Sequence, residues 1–438
     1  MTKHPDANAA STKRSALPIQ PQQLQGAFQS LIPAIQSALE KEGYQTPTPI
    51  QEQCIRQLLK GRDMIGCAQT GTGKTAAFTL PLLQRLHENT ERPRKGAPRA
   101  LILAPTRELA AQIGDSIRAY SRFTKISHTV IFGGVSQHRQ VQSLRRGVDI
   151  VVATPGRLTD LMEQKAVSLD RVDTFILDEV DRMLDMGFIP AIRSIVAKLP
   201  RKRQTVFFSA TMTPAMERLA APMLRENPVR ITIEPDKPAV ERIDQKVLFV
   251  RKFQKDELLA SLLGDQDAKK VIVFTQMKHV ANRVVQQLTK SGIKSSAIHG
   301  NKSQTARTKA LDSFKKNRIR VLVATDVAAR GIDVDDISHV INYDLPVEAE
   351  TYVHRIGRTA RAGAEGTAIS FCTFDDRSNL AEIQKLLGKE VPTEADHPFH
   401  CEESARPLPK FPGSSTRFQG RRKGGSGRPR RRFSRNRR

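Results

Sequence analysis

Seven short apolar runs punctuate the chain, and each stops abruptly in a polar or glycine-containing cluster: RALILAPTRE, VDIVVATPGR, DTFILDEVD, QTVFFSAT, then KKVIVFTQ, IRVLVATD and HVINYDLP. Four to six β-branched and aliphatic residues without alternation predict parallel strands buried on both faces. Amphipathic stretches between them, such as residues 108–123 and 279–290, predict helices. Strand–helix alternation of this kind builds right-handed βαβ units and an α/β, doubly wound sheet. Ligands of such sheets bind at the carboxyl ends of the strands, which is where the polar clusters fall. The runs form two series, separated by NPVRITIEPDKPAVERIDQ, whose prolines and mixed charge place a boundary near residues 235–240. The domain reading is therefore 26–235 and 236–390, with a disordered segment 1–25 before them and a disordered basic tail 391–438 after them.

Composition sharpens this picture at the chain ends. The 438 residues carry a formal charge of +26, and 13 Lys/Arg with no Asp/Glu lie in residues 404–438. Half of the excess thus sits in a Gly-spaced, Arg-rich tail that cannot bury enough apolar surface to fold. Such a balance points to a polyanionic partner. Cys54, Cys67, Cys372 and Cys401 show no paired spacing, which argues against a disulfide framework or a zinc site and favours a cytoplasmic home. No apolar run reaches the roughly 18 residues that span a bilayer, so no membrane partner is expected.

The first chemical candidate is AQTGTGKT: Ala68, Gln69, Thr70, Gly71, Thr72, Gly73, Lys74 and Thr75. It follows an apolar stretch and precedes a helical pattern, the context a phosphate loop needs. Its glycines let backbone N–H groups approach phosphate oxygens, Lys74 would reach the β/γ-phosphates, and Thr75 would ligate Mg²⁺. Ala68 stands where the strict pattern has Gly. The second candidate is Asp178-Glu179 at the end of a strand-like run, with Asp178 to hold Mg²⁺ and Glu179 to polarise the attacking water.

With these two motifs in place, residues 28–373 resemble the DEAD-box RNA helicases of superfamily 2, and among them the bacterial RhlE-like members, because a whole ordered set of motifs follows. GYQTPTPIQ resembles the Q motif; the resemblance implies that Gln51 reads the adenine edge and Tyr44 stacks beside the ring, with Phe28 as candidate for the upstream aromatic. PTREL, the Gly133-Gly134 pair and TPGR resemble RNA-gripping motifs and assign RNA contact to Arg107, Gly134, Thr154 and Arg157. Ser209-Ala210-Thr211 resembles motif III, whose two hydroxyls would bond Asp181. In the second half Thr275, the QTAR residues Gln304 and Arg307, and Thr325 and Arg330 of ATDVAARGID would touch RNA, with Asp333 toward the nucleotide. HRIGRTAR resembles motif VI and makes Arg358 and Arg361 arginine fingers. The eponymous motif here reads Asp178-Glu179-Val180-Asp181, with valine in place of alanine.

The resemblance implies two tandem RecA-like domains with parallel sheets flanked by helices, ATP and Mg²⁺ as cofactors, and single-stranded RNA or short duplexes as partner. Closure of the lobes would bring the fingers onto the γ-phosphate and make hydrolysis RNA-dependent. The core is expected to be monomeric, and ribosomal or RNA-decay complexes are candidate associations. An ATP-gated RNA clamp or annealing chaperone uses the same residues and stays open as an alternative, as does a DNA helicase.

Overall fold

The computed structural model describes residues 24–69, 71–233, 243–264, 268–329, 334, 336–360 and 365–406. Thr70, Arg330, Asp333, Arg361, the inter-series boundary and residues 407–438 lie outside them.

Each series of apolar runs becomes its own all-parallel sheet. The first contains β1 (Met64–Cys67), β2 (Ala100–Leu103), β3 (His128–Ile131), β4 (Ile150–Ala153), β5 (Thr174–Leu177), β6 (Gln204–Ser209) and β7 (Val229–Thr232), in the spatial order β3-β4-β2-β5-β6-β1-β7. The second contains β8 (Ile243–Phe249), β9 (Val271–Phe274), β10 (Ser295–Ile298), β11 (Val321–Ala324), β12 (His339–Asn342) and β13 (Gly366–Cys372), in the order β10-β11-β9-β12-β13-β8. These are the two α/β domains expected of a RecA-like pair.

The unalternated runs are explained by burial on both faces. In the first sheet Ala100, Ile102, Val152, Ile176 and Phe208 pack on one side, and Leu101, Leu103, Val151, Leu177 and Phe207 on the other. The second sheet repeats this, with Val271, Val273, Val323 and Ile341 facing one layer and Ile272, Phe274, Leu322 and Val340 the other.

Strand order also positions chemistry. β5, β6 and β1 are neighbours, with Leu177 paired to Phe207 and Cys67 paired to Ser209. The loops leaving their carboxyl ends are the phosphate loop, the Asp178 loop and the Ser209 loop, so topology alone brings three distant segments together.

The chain ends are larger than the sequence reading allowed. Residues 391–406, assigned there to a disordered tail, pack on the edge strand β8: the Val247 N–H donates to the Pro392 carbonyl at 2.9 Å and the Cys401 N–H to the Phe249 carbonyl at 3.0 Å. Val391 and Cys401 are buried. An open strand edge is a liability unless covered, and this strap covers it. At the other end Leu24 is buried and the Gln25 N–H bonds the Gln45 carbonyl, so order begins before residue 26.

Candidate nucleotide and RNA site

The loop after β1 turns through left-handed glycines, Gly71 at φ 83° and Gly73 at φ 92°. Gly73 caps the helix Lys74–Glu88. A Cβ there would lie 2.3 Å from the Gln51 Nε2, so this position has no room for a side chain. Ala68 lacks a positive φ and is buried, its N–H donating to the Ser209 carbonyl at 3.0 Å, so the methyl that breaks the strict pattern costs no backbone strain. The Thr72 hydroxyl donates to the Gln69 carbonyl at 2.8 Å, and the buried Lys74 ammonium donates to the Ala68 carbonyl at 2.7 Å. Thr75 sits half-buried in the first helical turn. Amides, a helix N-terminus and a buried ammonium converge here, which is the chemistry of polyphosphate binding.

Gln51 is drawn onto this loop. Its Oε1 accepts from the Thr48 N–H at 2.9 Å and its Nε2 donates to the Gly73 carbonyl at 3.2 Å, while the Thr48 hydroxyl holds the Thr72 carbonyl. A carboxamide has two donors and two acceptor positions, so one of each is left for an adenine edge. Tyr44 is half-buried, edge-on to Phe28 and Tyr120, and its hydroxyl pairs with that of Tyr120 at 2.8 Å. Phe28, the candidate upstream aromatic, is fully buried and supports Tyr44 edge-on.

Facing the loop, Asp178 is 2% exposed and accepts the Glu179 N–H at 3.0 Å. Burial pushes its carboxyl up to about 7, against the pull of the nearby Lys74 ammonium. Glu179 adopts a left-handed backbone, φ 53° and ψ 54°, which a non-glycine residue holds only where its surroundings enforce it. Its Oε2 accepts from the Arg182 Nη1 at 2.5 Å, and both side chains are buried. Val180 points away into the apolar layer with Leu177 and Met183. The extra methyls are therefore absorbed by the core, and Asp181 keeps its connection to the β6 loop.

That connection differs from expectation. Asp181 Oδ2 accepts the backbone N–H groups of Ala210 at 2.9 Å and Thr211 at 3.3 Å, not the two hydroxyls. The Ser209 hydroxyl is buried against the Met216 sulfur, and Thr211 is exposed. A carboxylate at the end of a strand is met first by the amides of the neighbouring loop, and the small Ser-Ala-Thr side chains permit that approach.

The predicted RNA contacts divide into two groups. Arg107 lies flat over the Gly133-Gly134 turn; a Cβ on Gly134 would fall 1.9 Å from its Nη1. Desolvation together with the charges of Arg307 and Arg157 pulls its guanidinium below the ordinary value, so three cations share this surface. Arg157 is half-buried, reaching the Val135 carbonyl at 3.3 Å and Asp160 at 3.4 Å, and Thr154 is buried at the start of the helix Pro155–Glu163. Thr325 is half-buried after β11. Thr275, by contrast, is fully buried with its hydroxyl turned to the Met277 carbonyl, so its side chain does not reach RNA in this conformation. Gln304 and Arg307 are also buried, both bonded at 3.0 Å to Oε1 of Glu108 in the other lobe. The Gln304 Oε1 and the Arg307 Nε remain without a partner, so this seam keeps unspent hydrogen-bonding capacity.

Motif VI supplies the opposite wall. Arg182 lines a cavity with Phe274, Asp326, Ala329, Thr351, His354, Arg355 and Arg358. Arg358 is 6% exposed and donates to the His354 carbonyl at 3.3 Å. Arg355, which no expectation singled out, is 1% exposed. It grips Asp326 through Nε at 2.5 Å and Nη2 at 2.8 Å, reaches the Asp344 carbonyl at 2.6 Å, and lies 5.1 Å from the Phe274 ring. Glu108 and Arg182 were likewise missed. The signal for Arg182 was its position three residues after Glu179, one helical turn along.

Paired RecA-like lobes with a phosphate loop, a strand-end acidic pair and an arginine-bearing wall define the two-lobed nucleic-acid-dependent NTPases. The DEAD/DEAH box helicase model matches residues 48–219, and the helicase conserved C-terminal domain model matches residues 254–363. The chain is 42% identical over 384 residues to the ATP-dependent RNA helicase RhlB of Pseudomonas aeruginosa, covering 86% of this chain and 96% of that protein. It is 44% identical to DEAD-box ATP-dependent RNA helicase 30 of Arabidopsis thaliana over 82% of this chain, but spans only 61% of that longer relative. Among solved structures, S. cerevisiae Dbp5 bound to RNA and ADP BeF3 superimposes with a TM-score of 0.72 at 34% identity, covering 83% and 94% of the two chains. The chain belongs to the DEAD-box ATP-dependent RNA helicases. Among the described residues no helix is long and apolar enough to cross a membrane.

Proposed function

We propose that this chain couples RNA-stimulated ATP hydrolysis to local unwinding of short RNA duplexes and remodelling of RNA or ribonucleoprotein, and that it is a bacterial RhlE-like member of its family. The observation that carries the mechanism is the meeting of Arg182, three residues beyond the candidate base, with His354, Arg355 and Arg358 of the other lobe around one cavity.

In this reading Lys74 and the loop amides hold the triphosphate, Gln51 selects adenine with its spare donor and acceptor, and Glu179 takes the proton of the attacking water. Arg358, together with Arg361 outside the described residues, neutralises charge that develops on the transferred phosphoryl group. An arginine finger is worth roughly 10³–10⁵ in rate. Asp178 and Thr75 suit a hard divalent cation: a buried carboxylate and a half-buried hydroxyl are oxygen donors of the type Mg²⁺ prefers. When bound, that ion supplies charge neutralisation at the phosphates. RNA held by Arg107, Arg157 and Thr325 would favour lobe closure.

Steady-state ATPase with and without single-stranded RNA tests this. Lys74→Ala should lose nucleotide binding, while Glu179→Gln should bind ATP and RNA but turn over poorly. Arg358→Ala should keep ATP affinity and lose RNA stimulation. Full turnover in Glu179→Gln, or an RNA-independent rate in the wild type equal to the stimulated one, overturns the reading.

A further inference from the structure

Resting on the reading that places RNA at Arg107 and Arg157, we propose that the helix His138–Arg146 is a second RNA-binding face, which takes the sugar–phosphate backbone of the strand where it leaves that surface. The helix is one-sided. Gln140 and Leu144 are buried and Val141 packs against the core, while His138, Arg139, Gln142, Arg145 and Arg146 are exposed. No acidic residue lies between Gly133 and Val148. Other exposed arginines of this lobe stand against acids, Arg56 with Glu52, Arg118 with Asp115 and Arg230 with Glu217. Arg139, Arg145 and Arg146 enter no ion pair among the described residues, so their charge is left for an anion from outside. The loop 92–96 packs on the far end of the helix, its Gly96 N–H donating to the Leu144 carbonyl at 2.8 Å, and adds exposed Arg92, Arg94 and Lys95.

This face is continuous with the Arg107 and Arg157 surface. The helix begins just after the Gly133-Gly134 turn that carries Arg107. Gln140 ties it down: its Nε2 donates to the Phe132 carbonyl at 3.0 Å, and its Oε1 accepts from the Arg157 Nη1 at 3.4 Å. Gln137, at the start of the helix, is bonded at 3.2 Å to Gln164, which follows the helix Pro155–Glu163. The arginines are therefore held in fixed relation to Arg157. β3 is an edge strand, so the helix that crosses from it to β4 lies on the flank of the lobe, open to solvent. From Arg139 to Arg146 the helix axis rises about 10 Å. That spans roughly three phosphates of a helical strand at about 3.4 Å each. The exposed face carries no Phe, Tyr or Trp, so it meets the backbone and reads no sequence.

The test is fluorescence anisotropy of labelled RNA on the full chain, over a salt series, with two ligands. One is the shortest single strand that fully stimulates ATP turnover; the other is the same strand extended at both ends. In Arg139→Gln/Arg145→Gln/Arg146→Gln the extended RNA should bind at least roughly tenfold more weakly. Its slope of log affinity against log salt should flatten by about 2, from three contacts at about 0.7 each. The short strand should bind as it does to the wild type. The matching triple Lys variant should restore the slope, because a phosphate also accepts a point charge. Equal losses for the two RNAs, no loss for the extended one, or a slope that lysine does not restore overturns the proposal. Should the Gln variant fail to fold, Arg139→Glu decides on the same comparison, since an acid in the first turn suits the helix dipole. Wild-type binding of the short strand by Arg107→Ala would strike the underlying RNA grip instead, a signature distinct from either failure of this face.

Discussion

Gly134→Ala is a single methyl placed where the RNA-facing reading is most exposed to refutation. The new Cβ would stand 1.9 Å from Nη1, 2.5 Å from Cζ and 2.8 Å from Nη2 of Arg107. A guanidinium is the far end of a flexible side chain, so it will move, not the backbone. The backbone still carries a cost: φ at this position is 76°, and a left-handed alanine costs about 1–2 kcal/mol. Lifting the guanidinium off the Gly133-Gly134 turn removes it from the phosphate position it would occupy. Loss of one charged hydrogen bond is worth about 1.5–3 kcal/mol, so RNA affinity should fall at least roughly tenfold. Fluorescence anisotropy with labelled single-stranded RNA reads this directly. Repeated between about 50 and 200 mM salt, the slope of log affinity against log salt should flatten by roughly 0.7, the signature of one phosphate contact fewer on a single strand. Arg107→Ala should produce the same two changes, and the double variant should add nothing further, because both remove one contact. Wild-type affinity and slope in Gly134→Ala, or additive losses, would show that Arg107 does not grip RNA from this turn.

Glu108→Ala breaks the seam to Gln304 and Arg307, and removing one partner of a buried ion pair costs about 3–5 kcal/mol; RNA-stimulated kcat should fall while ATP affinity persists, and the charge-swapped Glu108→Arg/Arg307→Glu pair should recover part of it. Val180→Ala removes two methyls from a fully buried site, about 2 kcal/mol by area and cavity terms, so Tm should drop while RNA stimulation of ATPase stays near wild type. A stimulation ratio that changes with it would mean that the valine does tune the Asp181 connection. Truncation after Arg406 spares the strap on β8 but removes twelve Lys/Arg, and should flatten the salt dependence of RNA binding without abolishing stimulated turnover. An unchanged slope would assign the tail another role.

The phosphate loop, the acidic pair and seven strands were legible because each signal is local: an unalternated run is what burial on two faces looks like in sequence. The strands that were not flagged are mainly those at sheet edges. β3, β7 and β10 have partly solvated faces, and β8 alternates exposed and buried positions at its start. Their pattern resembles an ordinary polar segment. The strap 391–406 was missed for a related reason: its ordering rests on hydrogen bonds to β8, a strand more than 140 residues earlier, and composition carries no trace of that pairing. At the site, residue types were legible and partners were not. Gln304 and Arg307 fit a motif, but their bond to Glu108 crosses 196 residues of sequence.

Two charge seams join the lobes, and their roots are neighbours. Glu108 follows β2 and Arg182 follows β5, and these strands are paired in register, Leu103 opposite Leu177. Adjacent strands are about 4.8 Å apart, so no long relay is needed between the RNA-facing seam and the hydrolysis-facing one. Parallel strands buried on both faces do not slide past each other, because a one-residue slip would exchange every side chain between the two packed layers and disrupt both. The two loops are therefore held as one rigid edge. Anything that changes the Glu108–Arg307 distance by moving the second lobe must also change what Arg182 meets in the cavity. RNA held at the Arg107 and Arg157 surface beside the first seam would bias the second, and stimulation of hydrolysis then follows from the stiffness of a sheet. Weakening the first seam should accordingly lower RNA-stimulated kcat far more than it raises KM for ATP.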